Sequence, residues 1–473
     1  MTDARAGRVR RAILLPRPVA FMLASEPSPD RDGPVAIPHG RDVLGNVRRN
    51  LRRLMTGKAF SALLQLAATL LTARTLSATE FGLVVLLQSY VLVWSGLFNF
   101  KPFESIIRYG VPALDRGDEA QLLRLLKLGF VVDAVTAVGS AIMAWALAGI
   151  VGGFLGWDAD FVHLAQLYSL VLVVDLTGTS KGILRLYNRF DVLSVQMAVA
   201  PIVLCIGASM AWLKGWGMPA FCAIWALGTL LDRVYLLVRA FGELHARIPH
   251  ADLRRLELGD WRREFPGIAS FTHVVYWQSN LDLVPKQISN LLVGMLLGPQ
   301  AAGLFRLAVG MAKVLSTPAM LLRQVLFPDL TRVWTRGEAG FYRILATTAA
   351  AAAACGLLLV AVMLSYGAQL LDLLAGAEYA AGAGVMAWLL FAGTLNLCSS
   401  VLRAAAYVMG RAGNVLRINI AATLVYVAAM MLLTPRLGLV GPGVASCCAA
   451  LLTLGGMLWL VARHPRMPGV VRA

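Results

Sequence analysis

The sequence predicts an all-α integral membrane protein of about twelve transmembrane helices, arranged as two six-helix lobes related by an axis along the membrane normal. Three observations carry this reading. Of the 473 residues, 58% are hydrophobic and 15% are charged, against roughly 45–50% and about 25% in ordinary soluble domains. The apolar residues gather in a dozen segments, and at about 20 residues per span these need about 240 residues, which leaves ample chain for loops. Short hinge motifs also recur at one offset, near 221 residues.

The elements follow in order. Residues 1–56 are polar, Arg-rich and Pro-containing, and are expected to form a basic cytoplasmic tail with little fixed structure. Within them, Ala12 to Ala24 has the length of a signal-peptide core, but Arg17 and Pro18 interrupt it. The N-terminal lobe covers 57–239, with spans at 57–77, 81–100, 127–152, 161–180, 192–213 and 218–239. A basic linker at 240–267 leads to a C-terminal lobe over 268–463. Its spans lie at 268–297, 302–324, 343–365, 381–402, 413–433 and 438–461, and residues 464–473 form a second tail. Gly and Pro interrupt several spans, which membrane helices tolerate when neighbours satisfy the freed backbone groups.

The net charge of +17 would suggest a nucleic-acid partner in a soluble protein. Its distribution says otherwise. Thirty-six Lys and Arg residues fall in the tails and the connections on one side, against Arg74, Lys214 and Arg436 on the other. Because Lys and Arg are retained in the cytoplasm, this bias predicts that both termini lie inside and that the number of spans is even.

The repeat supports the division into lobes. Leu76 to Gly82 reappears as Leu297 to Gly303, an offset of 221, and the Trp216-Gly217 turn reappears as Leu437-Gly438. Arg189 finds Arg411 at an offset of 222. Duplicated halves of six spans enter the membrane in the same sense, which places the repeat axis along the membrane normal.

Metal and redox chemistry find no foothold. Cys205, Cys222, Cys355, Cys398, Cys447 and Cys448 all sit in apolar segments without CxxC spacing, as small buried hydrophobes do. No HExxH or comparable ligand pair occurs among the six histidines, so neither a metal nor a cofactor is expected.

Polar residues inside a span are costly and usually face a bundle interior or a wet cavity. Four cations stay within spans: Arg233, Lys286, Arg306 and Lys313. Arg233 adjoins Asp232 near a cytoplasmic end and is expected to be locally paired. The acids Asp133, Asp175 and Asp232, all toward cytoplasmic ends, are expected to be interfacial or paired. In the seventh span Gln278, Asp282, Lys286, Ser289 and Asn290 share one helical stripe, with Pro285 among them as a candidate kink. In the eighth, Gly303, Arg306, Gly310, Lys313 and Thr317 share a face. Asp282 and Lys286, four apart, can neutralise each other, but Arg306 and Lys313 have no acidic partner in the pattern. A cationic cavity of Lys286, Arg306 and Lys313 is the expectation, lined by the polar residues Asp282, Gln278 and Asn290. The offset places Ser61 opposite Asp282 and Gln65 opposite Lys286. The N-terminal lobe thus brings the stripe Ser61, Gln65 and Thr72 without the cations.

Three segments carry a resemblance to a known family. Leu70-Leu-Thr-Ala-Arg-Thr-Leu-Ser-Ala-Thr-Glu-Phe-Gly-Leu-Val resembles the first-to-second helix signature of the polysaccharide and O-antigen repeat-unit flippases, within the multidrug, oligosaccharidyl-lipid and polysaccharide exporter superfamily. Leu296-Leu-Gly-Pro-Gln-Ala-Ala-Gly-Leu-Phe-Arg-Leu-Ala and Thr434-Pro-Arg-Leu-Gly-Leu-Val-Gly-Pro-Gly-Val-Ala-Ser are similar to its seventh-to-eighth and eleventh-to-twelfth connections. The likeness extends over roughly residues 50 to 465. It departs after Gly441, where the family usually continues with two alanines and this chain has Pro442 and Gly443.

The resemblance implies alternating-access transport of an undecaprenyl-pyrophosphate-linked oligosaccharide across a bacterial inner membrane, for polysaccharide or O-antigen (lipopolysaccharide) synthesis. It implies that lipid-linked substrate, membrane lipids and the polysaccharide polymerase machinery are partners. The residues suit such transport, because a sugar needs a wet cavity and a pyrophosphate needs cations such as Arg and Lys. Outward movement of negative charge gains roughly 2.3 kcal/mol per charge per 100 mV, and no GxxxxGK[ST] segment for ATP occurs. Two other classes compete. A cation-coupled multidrug exporter would need a mid-membrane carboxylate, for which Asp282 is the candidate. A ligase or polymerase acting on the same lipids would need a long, functionalised outer loop, and the longest here, 366–380, offers Asp372 and Glu378. A scaffold that only binds other membrane components would not need the polar stripes of the seventh and eighth spans.

Overall fold

The computed structural model describes residues 40–250, 253, 256–280, 283, 287–313, 341–409 and 411–463. All regular structure among them is helical. The N-terminal half contains α1 (Gly40–Thr75), α2 (Ala78–Phe98), α3 (Pro102–Asp115), α4 (Glu119–Leu155), α5 (Ala159–Ser169), α6 (Thr177–Leu186), α7 (Phe190–Lys214) and α8 (Met218–Arg247). The short α9 (Trp261–Glu264) lies in the linker. The C-terminal half contains α10 (Ile268–Asn280), α11 (Ser289–Leu297), α12 (299–313), α13 (Phe341–Ala375), α14 (Ala383–Val408), α15 (Ala412–Leu437) and α16 (Gly441–Ala462).

Among the described residues, every apolar segment of the sequence lies largely on helix, the seventh with a gap at 281–286 where only 283 is described. The eighth (302–324) is described only as far as 313. Eight helical stretches among the described residues are long and apolar enough to cross a membrane, and one of them, Gly413–Ala462, contains both α15 and α16. The fourth span is two helices, α5 and α6, joined by a 3-10 segment at Leu170–Val174. Helix α1 also begins earlier than expected, at Gly40, inside the stretch expected to be an unstructured tail. Val43, Val47, Leu51 and Leu54 recur there at helical spacing. Residues 1–39 and 464–473 lie outside the described residues.

Local chemistry fixes the corners. Ser77 and Glu80 form a capping box at the start of α2: the Glu80 amide donates to Ser77 Oγ at 3.3 Å, and the Ser77 amide to Glu80 Oε2 at 3.1 Å. Asp118 and Asp158 cap α4 and α5 through the amides of Gln121 and Phe161. The Pro442-Gly443 departure has a packing reason. A Cβ at Gly443 would stand 2.6 Å from Trp388 Cβ, so α16 lies too close to α14 for an alanine.

The buried core has a telling distribution. At the end of the bundle that carries the α1–α2 corner, one cluster joins both halves, from Leu76, Phe81 and Tyr90 to Phe305, Tyr379 and Met386. At the end that carries the linker the described residues form separate cores. One holds Leu122, Leu126, Leu186 and Leu236 with the linker residues Ile248 and Phe265. The other holds Val401, Leu402, Val415 and Leu460.

Candidate functional site

The seam between the halves is built from the first two spans of each. Leu66 of α1 lies against Gly310 of α12. On α2, Gly82 meets Pro299 and Gly303, Leu86 meets Gly294, and Gly96 meets Leu283. A Cβ on Gly82 would come within 1.8 Å of the Pro299 carbonyl oxygen, and one on Gly303 within 3.2 Å of Gly82 Cα. These two glycines are the repeat partners at offset 221, and they meet across the seam.

The α1–α2 end of this seam is sealed by cross-lobe contacts. The Ala78 amide donates to Glu378 Oε2 at 3.1 Å, and Tyr379 Oη donates to the Ala73 carbonyl at 3.1 Å. The Tyr379 ring stands edge-on to Phe81 at 6.0 Å, and Arg74 donates to the Leu373 carbonyl. Glu378 therefore completes the cap of α2 from the other half of the chain, where it meets the positive end of the helix dipole.

The seam carries several of the polar residues expected from the sequence. Gln65 is half-buried and its Nε2 has no hydrogen-bond partner among the described residues; Ser61 stands one turn away, half-buried. Arg306 is half-buried about 10 Å along α12 from its start. Among the described residues it has neither a hydrogen bond nor an ion pair. Lys313 is exposed two turns further on, one turn past the Leu66–Gly310 contact. Others are placed in packing. Asn290 is 2% exposed and donates to Ser89 Oγ across the seam at 3.0 Å. Thr72 is buried and donates to the Ala68 carbonyl of its own helix. Asp282, Pro285 and Lys286 lie outside the described residues, as does the Gln278 side chain.

Two polar residues were not anticipated. Gln88 Nε2 on α2 and Asn280 Nδ2 on α10 are buried without partners among the described residues. An unsatisfied buried amide is expensive. Gln65 adjoins Leu66, which lies against Gly310, and Asn280 stands three residues before Leu283, which meets Gly96, whereas Gln88 shares the α2 face of Ser95, which donates to Asp175 within the N-terminal half. The two amides at the seam suit water or a polar ligand. Gln88 stands beside Ser89 in a mostly apolar span. Its signal was the cost of burying an amide there.

Toward the linker end the seam is bounded by a clamp. Arg124 Nε donates to both Glu264 oxygens at 2.7 and 2.9 Å, Lys127 donates to the Leu256 carbonyl, and Tyr109 Oη donates to the Pro266 carbonyl at 3.0 Å. Helix α10 is held on the same half: Tyr276 Oη donates to the Leu97 carbonyl at 2.8 Å, and its ring stacks on Phe100 at 4.5 Å. An apolar cavity of about 410 Å³ lies beside the clamp, lined by Phe100, Leu128, Val132, Val135, Trp261 and Ile268 among others.

Arg233 is buried, and its partner is not its neighbour Asp232. Arg233 Nη2 lies 3.1 Å from Asp175 Oδ2 on the broken fourth span, while Asp232 accepts from Gln196 Nε2 at 2.7 Å. Sequence adjacency misled because consecutive residues point to different sides of a helix.

Comparison with known proteins follows the same lines. The sequence model of the family described as "Polysaccharide biosynthesis protein" matches residues 47–334. The chain is 29% identical over 343 residues to "Inner membrane protein YghQ" of Escherichia coli (strain K12), covering 70% of this chain and 93% of that one. Among solved structures, the lipid II flippase MurJ in an inward closed conformation aligns with a TM-score of 0.68 at 12% identity, over 87% of each chain. An inward-facing multidrug resistance MATE family transporter of the MOP superfamily aligns with a TM-score of 0.66 at 14% identity, over 85% of this chain and 95% of that one. At such identities these likenesses show the fold: transmembrane helices in two lobes.

Proposed function

Since the chain belongs to the polysaccharide biosynthesis protein family, we propose that it is a transporter and not an enzyme, a flippase that moves a lipid-linked oligosaccharide across a bacterial inner membrane by alternating access. The observation that carries this reading is the seam: the amides of Gln65 on α1 and Asn280 on α10 lack partners among the described residues, and so does Arg306 on α12, which no acid answers among them. A cation left unpaired in a membrane-spanning bundle suits an anionic substrate group. Guanidinium offers a phosphate a bidentate fork, and free amides suit sugar hydroxyls. The apolar cavity beside the clamp has the size and lining of a ligand pocket and suits the carrier's hydrocarbon tail.

The excess of Lys and Arg on one side supports a multi-pass topology with both termini and the linker in the cytoplasm. On that orientation the cross-lobe seal at the α1–α2 corner is the outer gate, closed, and the substrate is an undecaprenyl-pyrophosphate-linked repeat unit for a polysaccharide or O-antigen. Lys286 and Lys313 would add point charges to the Arg306 site.

The test follows lipid-linked oligosaccharide in a strain deleted for this protein. Accumulation on the cytoplasmic leaflet is expected, rescued by wild type. Arg306→Gln should lower export about tenfold or more, since a hydrogen bond to a charged group is worth roughly 1.5–3 kcal/mol. Lys286→Ala with Lys313→Ala should also fail to rescue. Normal export in all of these variants would overturn the site, and normal export in the deletion strain would overturn the function.

A further inference from the structure

Away from the seam, the N-terminal half holds a second set of buried charges around the break in the fourth span. The 3-10 segment ends at Val174, and α6 restarts at Thr177. Five ionisable side chains converge on the gap: Asp133 from α4, Asp175 at the break, Lys181 on α6, and Asp232 and Arg233 on α8. Asp133 and Arg233 are only 5% and 7% exposed.

The three carboxylates are not equivalent. Asp175 has three donors: Ser95 Oγ donates to it at 2.7 Å, Thr177 Oγ1 at 3.0 Å and Arg233 Nη2 at 3.1 Å. Asp232 accepts from Gln196 and lies within electrostatic range of both Lys181 and Arg233. Asp133 accepts one backbone N–H, that of Thr179, at 2.6 Å, and has the charged groups Asp175 and Lys181 in range. The Thr179 hydroxyl is fully buried and close to this carboxyl, and among the described residues it has no partner in good hydrogen-bond geometry. From the neighbouring elements, α2 presents Ser95, which does not titrate. The next cation along α6, Arg185, lies over the Phe103 ring and answers Glu104.

Fully ionised, the cluster carries three negative and two positive charges, one negative charge in excess, within a helix bundle that the bilayer surrounds. Such a charge is neutralised in practice by a partner or a proton. A metal ion is a poor candidate: Arg233 and Lys181 already occupy the field, and no metal-binding group of three or more His, Cys, Asp or Glu exists among the described residues.

We infer that this cluster binds a proton, seated on Asp133, and is the transporter's coupling site, separate from the substrate seam. A proton taken from water would sit on one carboxylate oxygen, the hydroxyl of Thr179 its hydrogen-bond partner, while the other oxygen keeps the Thr179 N–H. Neutral Asp133 releases Lys181 to Asp175 and Asp232. Ionised Asp133 competes for it, and that competition joins α4, α6 and α8. The coupling role rests on the flippase reading above; the proton site itself does not.

The test needs no substrate. Infrared difference spectra of the full-length protein in lipid nanodiscs, between about pH 5 and pH 8.5, should contain a carboxylic-acid C=O band that disappears at high pH. Asp133→Asn should remove it, and Thr179→Val should shift its frequency while leaving its intensity. Asp133→Glu, which keeps the charge if the asparagine variant does not fold, should move the band. A wild-type spectrum without the band, or a band unchanged in Asp133→Asn or in Asp133→Glu, overturns the proposal. Failure of lipid-linked oligosaccharide export assays with the band intact would sink the flippase reading alone.

Discussion

Gly82 shows how much a single position can decide. It and Gly303 stand at equivalent points of the repeat, and each is the surface against which the other packs. A side chain on Gly82 meets the Pro299 carbonyl, backbone that cannot swing aside. Gly82→Val is therefore expected to destabilise the protein by about 2 kcal/mol or more, in the range of overpacked cores. Thermal unfolding in detergent checks this: an unchanged Tm would contradict the close approach. The sequence marks both glycines through the repeat, but not their meeting, because close approach of two backbones is a tertiary fact. Arg306 was legible from its own span, being a charge no neighbour at helical spacing could answer. Gln88 and Asn280 were not, since an isolated amide has no pattern, and Asn290, on the expected polar stripe, proved to be spent on Ser89.

At the scale of elements, the linker is not a free tether. Ile248, Phe265 and Ile268 are buried in the core of the N-terminal half, and Arg124 grips Glu264 with a charge-assisted fork. The linker and α10 thus form one packed unit with α3 and α4. A double-mutant cycle with Arg124→Gln and Glu264→Gln should give a coupling energy of about 1 kcal/mol, since the pair is partly exposed and screened. Additive losses would show that packing alone holds the linker. Hydrophobic runs coincide with helix wherever their residues are described, because burial in lipid writes itself directly into composition. The break at Asp175 was hidden: Thr177-Gly-Thr-Ser reads as a small-residue stretch of a helix. What divides it is a set of long-range hydrogen bonds, from the Thr179 amide to Asp133 and from the Ser95 hydroxyl to Asp175. The early start of α1 was legible in the Val43–Leu54 spacing and was outweighed by the Arg content of that stretch.

For the whole molecule, the two ends differ in kind. Among the described residues, one hydrophobic cluster binds both lobes at the α1–α2 corner, and separate clusters serve them at the linker end. A protein that alternates must break the shared cluster in each cycle. Cysteines at Ser89 and Asn290, whose side chains touch at 3.0 Å, should cross-link in a background freed of the six native cysteines. Cross-linking should stop export, and reduction should restore it; export that continues through the cross-link would mean that this seam does not open. The repeat and the charge bias foretold two lobes from the sequence because duplication and topology act on whole segments. Which end is closed depends on packing that no single segment contains.

The most direct measurement is transbilayer movement of a polyprenyl-pyrophosphate-linked oligosaccharide in liposomes reconstituted with the full-length protein. It is read as exposure of the sugar to a membrane-impermeant glycosidase on the far side. Wild type should expose it, and Arg306→Gln should slow exposure about tenfold. A wild-type rate no faster than that of protein-free liposomes would contradict the account.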